Sequence, residues 1–501
     1  MPENILALIY VLILSAFVLF GMQSLAIKKD FLKQLNLLKG PWYVITCLGF
    51  LVSNYWFFLS LVGVYLKVYI PKTIEKKMCV VIFCALIMPP LSLEIPGFFG
   101  INNFGTINWY RFLIILILLP ECIALLQKGS NSFLNYYSDL FVCLFFLLLV
   151  ILDASRTPSA TDAVRMTFYH FIDILVPYYV FSRGIKTTDD IKKIFFSLTV
   201  AISIAAFLAI FESLKGWHFY DSASYNLGMM RSENINNYKY RAGLLRASGA
   251  YGTIPLGYLT AITFFCAYSL FSKMRGVKVK AVYGVLILAM LATLSRGPWV
   301  AFFIAISILF LLKGKAVYLV VRVMLVAIVV SLSPVGDKFT SLLPGVGNDS
   351  GGTISYRQDL YVTSLDVMKE NLLFGSSEVL NHPKMQHLIQ GEGIIDVVNT
   401  YLQISLDYGV VTLICMLCIL FLPILKLYRM SKRRIYSNEE RIFSYVLIAM
   451  MMQTIVTIAT VSSLGGGTIS FFMWILIAMV NAYINILMTT NESRVKVKNS
   501  I

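Results

Sequence analysis

Long apolar runs alternate with short polar connections along most of this chain, and the runs are too extended for strands of a water-soluble fold. A hydrocarbon core of about 30 Å takes roughly 20 apolar residues per helix. About fourteen runs approach that length, near 4–24, 42–65, 78–93, 109–126, 139–152, 164–182, 194–212, 251–271, 281–295, 298–312, 316–332, 398–425, 442–462 and 468–488. Backbone polar groups in lipid must find internal partners, which favours helices over barrel strands for uninterrupted runs. The pattern predicts an all-α polytopic membrane protein. The first run lacks a basic leader and a small-residue cleavage site, so it is read as a retained helix.

Composition agrees, with 58% hydrophobic and 14% charged residues and a mean hydropathy of +0.77. The formal net charge of +16 collects in SKMRGVKVK (272–280), KLYRMSKRR (426–434), KTIEKK (72–77), Lys313 with Lys315, and RVKVK (494–498). With fourteen spans these stretches share one side, the cytoplasm, together with both termini. KKDFLKQLNLLK (28–39) conflicts, because the same count puts it outside. The positive excess is then an inside bias with attraction to anionic lipid, and nothing points to nucleic acid. All eight cysteines lie within or beside apolar runs, so no disulfide framework is implied; Cys415 and Cys418 are neighbours one turn apart. The four histidines offer no metal spacing, and no phosphate-binding glycine loop appears, so neither metal nor cofactor is expected.

Two long segments on the outer side stand out, at about 215–250 and 333–397. Loops of such length are functional or disordered. In the second, YRQDLYVTSLDVMKENLLFG places Tyr361, Leu365, Met368 and Leu372 on one face of an amphipathic helix. The runs 281–295 and 298–312 are each only about 22 Å long as helices, short of the core. They meet at Ser295-Arg296-Gly297-Pro298, where glycine frees the backbone and proline suits a helix's first turn. A turn buried that deep is tolerated beside a watery cavity, where Arg296 and the free N–H groups of the next helix would converge on an anion such as phosphate. The alternative is that Arg296 snorkels to the headgroups. His170 and Asp173, one turn apart within a span, are either a satisfied pair or a proton relay.

LLRASGAYGTIPLGYL (244–259), TLSRGPWVAFF (293–303), YRQDLYVTSLDVMKENLLFG (356–375) and VVNTYLQISLDYGVV (397–411) resemble, in order and spacing, the O-antigen ligase and Wzy-type O-antigen polymerase superfamily of surface-polysaccharide enzymes. The resemblance covers about 164–425. It divides the chain into N-terminal helices (1–163), a superfamily core (164–425) with the two outer loops, and a C-terminal hairpin with a basic tail (426–501). It implies a GT-C-like helical bundle in the bacterial inner membrane, working on the periplasmic or outer face without metal or nucleotide sugar. The implied donor is an undecaprenyl-diphosphate-linked glycan and the implied second substrate a glycan acceptor, with membrane lipids around them and a flippase and chain-length regulator as assembly partners. Arg246, Arg296 and Arg357 match arginines that hold the lipid diphosphate in this family, with Ser295 and Gly297 beside them. Asn399, Tyr401, Leu402, Gln403 and Gly409 match a pattern that in ligases opens with a histidine; Val398 stands in that place here.

The implied function is polymerisation of lipid-linked repeat units into O-antigen or exopolysaccharide. Alternatives within the superfamily are an O-antigen ligase and a protein oligosaccharyltransferase. Glycosyl transfer from a diphosphate builds negative charge on the leaving group, which fixed cations stabilise, and the acceptor hydroxyl needs a base. His387, Glu392 and Asp396, just before the 398–425 run, are unranked candidates for that base. A lipid-linked oligosaccharide flippase, the rival outside enzymes, predicts internal repeats and midplane charges, and no repeat is found.

Overall fold

The computed structural model describes residues 2–26, 29–98, 103–128, 138–230, 238–241, 243–315, 317–318, 353–390, 393–433 and 435–499. The helices are α1 (Glu3–Leu25), α2 (Lys29–Leu51), α3 (Tyr55–Tyr69), α4 (Ile74–Cys84), α5 (Trp109–Gln127), α6 (Asp139–Arg156), α7 (Ala160–His170) and α8 (Val176–Gly184). They continue as α9 (Thr188–Lys215), α10 (Phe219–Asn226), α11 (Thr253–Phe271), α12 (Val277–Ala292), α13 (Arg296–Leu312), α14 (Thr353–Met368), α15 (Thr400–Ser431), α16 (Asn438–Ile458) and α17 (Thr468–Asn499). The strands described form two small antiparallel hairpins, β1 (Ser92–Pro96) with β2 (Asn103–Asn108), and β3 (Tyr240–Arg241) with β4 (Leu244–Leu245).

This is an all-α polytopic membrane protein. Among the described residues seven helices are long and apolar enough to cross a membrane (α1, α5, α9, α11, α15, α16 and α17), and α3 and α13 are shorter apolar helices. The expected count of about fourteen is higher for identifiable reasons. The runs at 78–93 and 281–295 lie in helices of 11 and 16 residues, and 139–152 lies in a helix that also carries Asp139, Asp153 and Arg156. The expected span 316–332, apart from 317–318, falls outside the described residues.

The expected span 42–65 is corrected more sharply. The chain breaks at residues 52–54, where Asn54 caps α3 by accepting from the Phe57 amide at 3.1 Å. The basic stretch 28–39, expected as an outer loop, contributes to α2 instead. Its helix buries Leu35, Leu38, Trp42 and Ile45 on one face, and Gln34 is accommodated by donating to Lys193 O at 2.9 Å and to Ser197 Oγ at 2.6 Å. Satisfied hydrogen bonds let a polar side chain enter an apolar bundle.

The chain forms two compact units. The first comprises Met1–Ser132, Val176–Trp299 and Ala478–Ile501. Its axis is α9, which Thr187 and Asp190 start with a reciprocal capping box and Gly216 ends at φ 67°. The small residues of ISIAAFLAI let α1, α2, α4, α11 and α12 pack closely on α9.

The second unit comprises Phe133–Leu175 and Val300–Ile477. Here α6 packs on α7 and α15, and α16 packs on α15. The segment that begins with α14 has a core of its own, in which Leu360 and Val367 of α14 meet Val379, Met385, Leu388, Val397, Leu402 and Leu406. The buried face of α14 is therefore 360/364/367; of the expected stripe, Met368 packs partly against this core, while Tyr361 and Leu365 are exposed, as is Leu372 beyond the helix. Two overlapping apolar stripes with helical spacing exist in this segment, and tertiary contacts select the one that reaches Met385 and Leu388.

α15 is two helical stretches joined at Gly409, whose φ of 80° and ψ of 175° interrupt the ladder. The loop after α14 fills the interruption. Val410 N donates to Leu372 O at 3.0 Å, Val411 N to Leu373 O at 3.3 Å, and Ser376 N to Leu406 O at 3.0 Å. The approach is so close that a Cβ on Gly409 would lie 2.2 Å from Leu373 O, and one on Gly375, itself at φ 71°, 2.4 Å from Leu406 O. Gly409→Ala and Gly375→Ala should each destabilise the purified protein by about 2 kcal/mol or more, through backbone strain and overlap together. Thermal unfolding by intrinsic fluorescence checks this, with Gly465→Ala, where an added Cβ meets nothing within 4 Å, unfolding at the wild-type temperature.

Candidate functional site

In the first unit, α12 and α13 are joined by Thr293-Leu294-Ser295. Leu294 has φ 48°, the one non-glycine residue in the left-handed region among those described, a conformation that costs of order 1–3 kcal/mol. Two arginines from the β3–β4 hairpin and its exit hold it there. Arg241 donates to Leu294 O at 2.7 Å; Arg246 donates to Thr293 O at 3.3 Å, Ser295 Oγ at 2.9 Å and Thr253 Oγ1 at 3.0 Å. The Ala247 amide adds a bond to Ala292 O at 3.0 Å.

Arg296 opens α13 and is half-buried, and Gly297 and Pro298 complete the first turn. The Pro298 ring rests against Gly257 of α11, where a Cβ would lie 3.0 Å from the ring. α12 and α13 contain 16 and 17 residues, about 24–26 Å at a helical rise of 1.5 Å, so the short arms expected on either side of the turn are present. Three guanidinium groups thus belong to one turn at the positive end of a helix dipole. Burial first, and the charge of Arg241 second, push the Arg246 pKa down to about 10.

The segment that carries Arg246 is tied down by a fully buried carboxylate. Glu212 Oε2 accepts the amides of Ser248 at 3.2 Å and Gly249 at 2.9 Å, and His218 Nδ1 lies 3.4 Å away. Ser248 Oγ meets the same Nδ1 at 3.0 Å. A relay needs the two different ring nitrogens, so this grouping holds the loop and does not form a nucleophilic triad. Burial lowers the His218 pKa, but the hydrogen bond and charge of Glu212 and the charge of Asp221 outweigh it, leaving a net rise. Burial raises Asp221 to about 6, against His218, with Glu212 and Glu3 adding to the rise.

Arg357 lies in the second unit, exposed on α14. The structure therefore brings Arg246, Ser295, Arg296 and Gly297 together in the first unit, and Arg241, present in the sequence as one more loop cation, joins them. Among the base candidates, His387 is exposed on the 3₁₀ turn Pro383–Leu388 and Asp396 is exposed, its main chain bonded to Tyr356 Oη at 3.1 and 3.2 Å. Glu392 lies outside the described residues. Asn399 caps α15 by accepting from Tyr401 N at 2.9 Å and Leu402 N at 3.2 Å, and Tyr401 Oη donates to Ile455 O at 2.9 Å. Both are positioned by structure-building bonds.

The second unit also holds a polar grouping where α6, α7 and α15 meet. His170 Nε2 bonds Asp153 Oδ2 at 2.7 Å, which replaces the expected pairing with Asp173. Tyr408 Oη donates to the same oxygen at 3.4 Å. Arg156, one turn beyond Asp153, donates to the carbonyls of Asp407, Phe374 at 2.6 Å and Gly375 at 3.0 Å, clamping both strands of the glycine crossing.

Residues 281–417 match the model of the O-antigen ligase family. Over this stretch the chain is similar to the O-antigen ligase family. Among curated proteins none matches the chain. The superfamily stretch contains Arg296, Arg357, Asn399, Tyr401 and the Gly409 break, while Arg241, Arg246, Asp153, Arg156 and His170 lie before it in the chain. Arg241 and Asp153 were legible as ionisable residues near apolar runs; their partners, a strained carbonyl and a histidine 17 residues away, have no local signature.

Asp221 and His218 both bind protons more tightly when folded. Stability from Asp221 is present below its ordinary pKa near 4 and is lost as pH rises through about 6. Stability from His218 is present below about 6.5 and is lost as pH rises through its elevated value. Asp221→Asn should flatten the fall in melting temperature between about pH 4 and 6, read by fluorescence unfolding over a pH series.

Proposed function

We propose that this membrane protein is an outer-leaflet glycosyltransferase that joins undecaprenyl-diphosphate-linked repeat units into O-antigen or exopolysaccharide. The carrying observation is the accumulation of Arg241, Arg246 and Arg296 at the α12–α13 turn, with Arg246 bonded to Ser295 and Arg296 opening the next helix. Cations at a helix N-terminus oppose its dipole, and Arg246 is destabilised as a cation by burial. A diphosphate accepts forked guanidinium bonds and helix N–H groups. The same groups stabilise the charge that develops on undecaprenyl diphosphate as the glycosidic bond to it breaks. The match of residues 281–417 to the O-antigen ligase family supports glycan chemistry, and Val398 in place of the ligase histidine favours polymerase over ligase. Under this reading the site faces the periplasm across the bacterial inner membrane.

Arg296→Ala should lower transfer by about 10²-fold or more, and Arg296→Lys should recover little, because an ammonium cannot present the planar fork. The surface polysaccharide read on a gel should then lose long chains while single repeat units are still displayed. Accumulation of finished lipid-linked polymer would identify a ligase, and an unchanged ladder would remove the site.

A further inference from the structure

Between α3 and α5 of the first unit lies an open groove of about 390 Å³, within the range of small-ligand sites. Trp56, Leu59 and Gly63 on one side and Phe112 and Leu116 on the other give it apolar walls. The two helices meet at their first turns, where the buried rings of Phe58 and Trp109 lie 5.7 Å apart. Further along they leave a space, because Gly63 offers no side chain. A Cβ there would meet only the Phe112 ring, at 3.5 and 3.8 Å, which is ordinary contact. Beside it α5 widens into a π turn over Ile114–Leu118, which includes Leu116. Such distortions recur at functional sites.

The groove lies at hydrocarbon depth. α5 is long and apolar enough to cross a membrane, α3 is a shorter apolar helix, and Phe57, Val64 and Val68 stand exposed along α3. Ser60 and Lys67 are the polar side chains besides Trp56 that line it. Ser60 Oγ is satisfied by donating to Trp56 O at 2.8 Å. Lys67, exposed in the last turn of α3, enters no hydrogen bond or ion pair among the described residues. From Trp56 to Lys67 the helix rises about 16 Å, so the ammonium belongs to one end of an apolar trough. Lys72 and Lys76, in the connection to α4 and its first turn, are exposed and also unpaired among the described residues, whereas Lys77 is held by Glu121. Glu75 is the one acidic residue between 67 and 77.

We propose that this groove binds an anionic phospholipid, with one acyl chain between α3 and α5 and the headgroup phosphate against Lys67. Lys72 and Lys76 add attraction at the same end, as basic residues beside a membrane helix do for anionic headgroups. A packed protein helix would fill the trough but leave Lys67 without a counter-charge, and an anionic lipid supplies both parts. The site is independent of the glycosyl-transfer reading, since none of its residues belongs to the arginine turn.

The test is native mass spectrometry of the delipidated full chain in mild detergent, titrated with phosphatidylglycerol or phosphatidylcholine of identical acyl chains. The wild-type protein should retain phosphatidylglycerol in preference. Lys67→Gln should lower that retention about fivefold, the weight of one lysine near an anionic surface, and leave phosphatidylcholine unchanged. Gly63→Leu, which fills the trough, should lower the retention of both lipids. Should Gly63→Leu fail to fold, Ser60→Phe fills the same space from an exposed position. Equal retention of the two lipids by the wild-type protein, or wild-type retention of phosphatidylglycerol by Lys67→Gln, overturns the site. So does wild-type retention by the filled variant, or a mass showing a second copy of the chain bound where lipid is expected and released by the filling substitution.

Discussion

Positive charge gathered at the start of an apolar helix is the constraint on which the first unit depends. A helix N-terminus already carries about half a positive charge from its unpaired amides, and α13 begins on Arg296 with Arg246 and Arg241 bonded to the turn before it. The turn is held in a strained shape at Leu294 by those arginines, so the residues that create the electrostatic problem also build the geometry. Glu212 does not neutralise them; its oxygen is occupied by the Ser248 and Gly249 amides and by His218. The proposed diphosphate would meet this turn through its fork of donors.

The second unit solves a different problem, which is how a long segment between apolar helices can be ordered. It does so with a small core around Met385 and Leu388, and with backbone bonds that enter α15 at its break. The glycines there are required by contact with carbonyl oxygens, and Arg156 occupies the remaining lone pairs of the crossing. Asp153 and His170 owe their placement to this framework, since α6 carries both the clamp and the carboxylate.

Much of the helical architecture is legible in the sequence, because lipid imposes one rule, internal pairing of every backbone group, and long apolar runs obey it. Where polar and apolar residues share a helix the rule weakens. The stretch 28–39 reads as a loop by charge, but residues 29–39 are helical because Gln34 finds partners on α9 and the lysines occupy the other face. The stripe on α14 was ambiguous because two faces satisfy the same spacing, and only the position of Met385 decides between them. Within the site, Arg246, Ser295 and Arg296 were readable because a turn motif and an isolated arginine announce themselves in an apolar run. Asp153 and His170 belong to different helices, and no spacing in one sequence reveals that they touch.

The interlocked glycines bear on how such proteins can be recombined. Residues 372–376 and 406–411 complete each other's main-chain bonding, so the two segments form a single inherited part despite the roughly thirty residues between them. A chimera that borrows the outer loop from a relative without also borrowing the middle of the following helix would leave amides of Val410 and Val411 without acceptors in an apolar setting. Exchange of either segment is thereby tied to exchange of both at once.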